Sequence, residues 1–177
     1  MARRKQNFGK LLSGGDLRST GKVGEAVRTV ANNRALFEEL LRELWNEDPR
    51  IAMRAADAVE KITRTEPTLL HPFKPELIGL AEEVAAKELK WHLAQILPRF
   101  PLTKREQHRV LRILQRYRES DSAIVRTFAL QALFELSAKD AGLRRAVNEW
   151  LEQAASCGSA AERARARKLL GISNGKS

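Results

Sequence analysis

The chain of 177 residues holds a single cysteine, Cys157, so no disulfide can form within it. Its start lacks the apolar stretch of a secretory leader, because Met1-Ala2-Arg3-Arg4-Lys5 runs into Gln6 and Asn7. Together these absences set the expectation of a reducing, cytoplasmic setting. No hydrophobic run approaches the ~20 residues of a bilayer-spanning helix, so no membrane partner is expected. Strict apolar–polar alternation is almost missing too, which leaves no credible strand. The prolines, at 49, 67, 72, 75, 98 and 101, avoid the middle of every helical stretch and lie between them, as helix breakers do in a helical array.

What is present fits one class. Hydrophobic residues at 43% and charged residues at 31% exclude collagen-like, low-complexity and wholly disordered chains. The length suffices to bury a core without covalent staples. Helix starts are legible: Asp48 before Pro49 reads as an N-cap with proline at the first helical position. Thr103 with Glu106 and Ser159 with Glu162 have capping-box spacing.

A repeat near 37 residues organises the rest. Apolar or small residues at Ile51, Ala55, Ala58, Val59 and Ile62 recur as Leu89, Leu93, Ile96, Leu97 and Phe100, then as Val125, Ala129, Ala132, Leu133 and Leu136. A fainter copy holds Ala166, Leu169 and Leu170. Each is preceded by a second periodic stretch, whose columns Phe37/Leu77/Val110/Leu143, Leu40/Leu80/Ile113/Ala146 and Leu44/Val84/Tyr117/Trp150 keep register. A two-helix unit cannot bury its apolar stripe alone, so stacking of neighbours is expected.

On these residues the chain resembles the HEAT-repeat family over roughly 34–171. The run Asp121-Ser122-Ala123-Ile124-Val125-Arg126 through Ala132-Leu133 looks most like that family's second helix, and Asp48-Pro49-Arg50-Ile51 through Ala58-Val59 is a good second copy. Unit two departs, with Trp91 and His92 in the middle and Pro98 in its last turn. Unit four is thin and reads as a C-terminal cap. The resemblance implies an all-α fold, an α-solenoid of about four two-helix repeats. Residues 1–33 differ in kind. They hold seven basic residues against Asp16 and Glu25, and Val23, Val27 and Val30 predict a short helix near 23–32 covering the first unit. Residues 1–22 and 172–177 are expected to be mobile.

Chemistry-bearing motifs are scarce. Gly15 through Lys22 superficially resembles a phosphate-cradling loop, but the spacing is one residue too long and Val23 stands where Ser or Thr is needed. His71, His92, His108 and Cys157 lack metal-ligand spacing, so neither metal nor cofactor is expected. No nucleophile–base arrangement emerges, and no enzyme is expected.

Charge carries more. With 32 Lys+Arg against 22 Asp+Glu, the formal charge is +10. Arg105, Arg109, Arg112 and Arg116 fall on one helical face, forming a secondary basic stripe or simply a solvated one. Repeat alignment places Ala52, Lys90, Arg126 and Arg163 at one position, and Arg54, His92, Phe128 and Arg165 two residues further on. The resemblance implies that second helices line a concave surface, hence a basic groove at Arg54, Lys90, Trp91, His92, Arg126, Arg163 and Arg165. Such a groove focuses potential on an anionic partner. The competing reading is that Arg126 ties its helix to the next unit. Trp45 and Trp150 are expected to fill the core.

The leading expectation is a non-enzymatic scaffold or protein-binding module that takes an acidic partner segment in this groove. The alternative is nucleic-acid binding by the same groove and the basic N-terminal arm. A third class, the alkylpurine DNA glycosylases, is also built from HEAT-like repeats. Only Asp57 and Trp91 match the acid and aromatic that such chemistry requires.

Overall fold

The computed structural model describes residues 6–14 and 21–174. The described residues are all-α, with ten α-helices joined by short loops and 3₁₀ turns, and no strand occurs among them. No described helix is long and apolar enough to cross a membrane. The chain divides into two compact units, Met1–Lys74 and Pro75–Ser177. The division falls at Pro75, and the described residues among 1–33 cluster with the first unit.

In the first unit α4 (Pro49–Thr63) is the hub, packed by α1 (Phe8–Leu12), α2 (Val23–Asn32) and α3 (Phe37–Arg42). Its start follows from sequence chemistry. The Asp48 carboxylate accepts from the Arg50 amide at 2.9 Å, and Pro49 supplies the preset first turn. The helix expected near 23–32 is α2, burying Val23, Ala26 and Val30. The mobility expected of residues 1–22 is corrected for 6–14: Phe8 and Leu12 are buried in α1, because their apolar side chains dock on α4. The Gly15–Lys22 stretch lies mostly outside the described residues. Trp45, expected in the core, is 48% exposed, since the 3₁₀ turn Glu43–Trp45 turns Leu44 inward instead.

The second unit contains α5 (Lys74–Glu83) from Pro75 onward, α6 (Lys87–Ile96), α7 (Lys104–Arg118), α8 (Ala123–Lys139), α9 (Arg144–Cys157) and α10 (Ala160–Asn174). Helix α8 is central, packed against α6, α7, α9 and α10, while α9 and α10 form a pair. Val125, Ala129, Ala132, Leu133 and Leu136 of α8 are all buried, as the repeat pattern requires. The capping box of α7 is complete, with the Thr103 amide donating to Glu106 at 2.8 Å and the Glu106 amide to Thr103 Oγ1 at 3.3 Å. Within this unit, side-chain-to-carbonyl bonds tie neighbouring elements together: Tyr117 Oη donates to Ala81 O at 2.7 Å and Lys139 Nζ to Pro98 O at 2.6 Å. Helix α10 continues through Asn174, so the tail expected from 172 is helical for three residues, and 175–177 lie outside the described residues.

Candidate binding face

The residues expected to line one basic groove have separate fates. Arg54 belongs to the first unit and is fully buried. Its Nη1 donates to Leu12 O at 2.7 Å and also to Gly14 O. A guanidinium used inside the protein as a clamp on backbone carbonyls offers nothing to a partner, and its assignment to a binding surface is corrected. His92 is likewise buried, 1% exposed, with its ring 3.5 Å from that of Trp91.

Arg126 takes the tying role. Nε and Nη2 donate to the two carboxylate oxygens of Glu162, each at 2.9 Å, while Nη1 donates to Ser120 O at 2.7 Å. The fork therefore joins the start of α8 to the start of α10, and its charge is neutralised in place. Burial by itself would raise the Glu162 pKa, but hydrogen bonds from Arg126 and Ser159 overcome it and hold the carboxyl down at about 2. Glu162 also closes the expected box on its own helix, accepting from the Ser159 amide at 3.0 Å. Arg163 donates to Gly158 O at 2.6 Å and is a cap on the preceding turn.

Half of the secondary stripe is engaged as well. Arg109 grips Glu82 of α5 in a two-oxygen pair, with Nε to Oε1 at 2.7 Å, and Arg116 donates to Glu82 O at 3.1 Å. The Arg109 fork and burial act oppositely on Glu82, and the fork prevails, lowering its pKa. Arg105 and Arg112 remain exposed.

Two of the expected residues, Trp91 of α6 and Arg165 of α10, do come together, both against Phe128 of α8. Trp91 stacks on Phe128 at 5.4 Å between centroids, and the Arg165 guanidinium lies 5.6 Å from the Phe128 ring. Arg165 is held there by Gln131 Oε1 at 2.9 Å. The Lys90 ammonium lies instead over Tyr117 of α7, 5.9 Å from the ring centroid. Beyond Phe128 a recess of about 590 Å³ opens between α8 and α10, with Ile124 and Phe128 on one wall and Ala161, Ala164, Arg165 and Lys168 on the other. Its origin is local: α10 places alanines at i and i+3 opposite larger α8 side chains, and small residues leave the space unfilled. Ile124 is 43% exposed there, and no acidic residue lines the recess.

Charge alone misses Phe128, although it occupies the same aligned position as Arg165. Ile124 lies outside the repeating apolar columns of α8, and that off-pattern hydrophobe is its sequence signal. The acid named for glycosylase chemistry, Asp57, pairs with Lys61 on its own helix at 2.9 Å. No cluster of metal-ligating side chains occurs among the described residues. Comparison of the chain with family models, with curated proteins and with solved structures gives no match.

Proposed function

We propose that the chain is a HEAT-like α-solenoid binding module without catalytic activity, and that the α6–α8–α10 face of its second unit takes an acidic, partly apolar segment of another protein. The observation that carries this reading is the recess of Ile124 and Phe128, rimmed by Arg165 and Lys168 and without any acidic lining residue. An exposed apolar cavity beside a held arginine and an exposed lysine fits a segment in which leucine-like side chains alternate with carboxylates. The apolar anchors supply the driving force, and Arg165 and Lys168 set the register. Arg165 is preorganised by Phe128 and Gln131, so little side-chain entropy is lost when a carboxylate arrives.

Nucleic-acid binding draws less support. Arg126 and Arg109 are already paired with carboxylates, which removes two of the cations a phosphate backbone would have engaged. The cations left on the face are interleaved with apolar residues.

The test is fluorescence anisotropy with a labelled synthetic peptide of alternating leucine and glutamate, compared with its lysine counterpart and with a generic DNA duplex across a salt series. Saturable binding of the acidic peptide alone is expected, weakened at least about tenfold by Arg165→Glu and by Phe128→Ala, a loss equivalent to ~1.4 kcal/mol or more. Tight duplex binding with a steep salt slope, and none to the acidic peptide, reverses the choice.

A further inference from the structure

A second pocket, of about 210 Å³, lies in the Pro75–Ser177 unit among the end of α7, the start of α8, the end of α9 and the start of α10. Arg126 and Leu130 face it from α8, and helical spacing puts them on a different side of that helix from Ile124 and Phe128. Within it Arg126 and Glu162 neutralise one another. Arg118 has no such counterpart. Its guanidinium lies 4.3 Å from the centroid of the Trp150 ring, and among the described residues none accepts a hydrogen bond from it or pairs with it as an ion. Glu119, its neighbour in sequence, acts on it only through longer-range attraction, while burial lowers its pKa. It nevertheless stays protonated at neutral pH, with five N–H donors in a half-buried pocket.

The geometry points to a site for a small organic carboxylate, gripped by the Arg118 fork with its apolar body against Trp150 and Leu130. Three features select that chemistry. The planar guanidinium matches a carboxylate with two parallel hydrogen bonds. The net charge of the pocket, two arginines against Glu162, is one positive, which suits a monoanion and disfavours a dianionic phosphate beside a carboxylate. The volume falls below the roughly 300–1,000 Å³ of drug-sized sites. Trp150 serves both as a wall for the ligand and as the platform that orients Arg118.

Cys157 supplies the readout, because it is the chain's single cysteine, is exposed, and lines this pocket. Alkylation of the intact protein by iodoacetamide would be followed with sodium benzoate as the probe and inorganic phosphate at matched ionic strength as the comparison. Benzoate is expected to slow alkylation several-fold with an apparent Kd on the order of 1–10 mM. Phosphate should leave the rate unchanged. Arg118→Leu should abolish the protection, and Arg118→Lys, which keeps the charge without the fork, should weaken it about tenfold. Circular dichroism melts would establish that each variant is folded, and the lysine variant decides if the leucine variant is not. Absence of protection at about 50 mM benzoate, an equal effect of phosphate, or protection that survives in folded Arg118→Leu overturns the proposal.

Discussion

Arg54→Leu is expected to destabilise the first unit by about 3–5 kcal/mol, because it empties a fully buried site and strips two backbone carbonyls of their donor. Leucine fills part of the volume but donates nothing. The carbonyls of Leu12 and Gly14 then face the interior unsatisfied or swing out to water, and the second course pulls Phe8 and Leu12 off α4. Loss of order should therefore begin in residues 6–14. In a protein of this size the melting temperature should fall by on the order of 10 °C. Limited proteolysis should cut near α1 in the variant at temperatures where the parent resists. Arg54→Lys keeps a charge and its donors, but its ammonium ends one bond short of Nη1, so the change should recover only part of the loss. Gly21 is coupled to the same clamp: its φ is +51°, and a Cβ there would lie 3.2 Å from Arg54 Nε. Gly21→Ala should destabilise in the same direction by about 1–2 kcal/mol. A melting temperature for Arg54→Leu within about 2 °C of the parent would mean that the clamp contributes nothing.

The second large effect is acid sensitivity in the other unit. The Glu162 carboxyl sits at about 2 when folded against an ordinary value of 4.5, so the folded state holds this group deprotonated where the unfolded chain would protonate it. Its stabilisation is complete above about pH 5 and is lost as pH falls from 4.5 toward 2. The shift corresponds to about 3 kcal/mol, and Glu162 is only 9% exposed, so little of it is screened away. Glu162→Gln should thus lower stability at pH 7 by about that amount and flatten the pH dependence of urea midpoints between pH 5 and pH 2. A double-mutant cycle of Arg126→Met with Glu162→Leu isolates the pair. Either single change leaves a poorly compensated charge, whereas the double change should cost much less than the sum. Equal acid profiles for parent and Glu162→Gln would contradict the assignment. Because the pair joins the starts of α8 and α10, where Ile124 and Ala161 stand, its loss should also blunt recognition at the recess.

Much of the architecture was legible in one dimension. Helical class, the exclusion of prolines from α-helix interiors, α2, and the starts at Asp48–Pro49, Thr103–Glu106 and Ser159–Glu162 all follow from the residues themselves. Caps and periodicity are set by side chains within one turn of the backbone they serve, so spacing alone reads them. The repeat columns also located most of the buried face of α8.

The candidate site was legible only in part, since equal charge in equivalent repeat positions did not mean equal role. Arg54, Arg126, Arg163 and Arg165 all looked like groove cations, yet one clamps buried carbonyls, one forks a carboxylate, one caps a turn and one lies over an aromatic ring. What separates them is distance along the chain. Arg126 meets Glu162 across 36 residues and Arg54 meets Leu12 across 42. Composition and local pattern therefore determined that this chain is helical and basic. Tertiary packing alone decided which arginines spend their donors inside the protein, because a guanidinium's role is set by the acceptor that the fold brings to it.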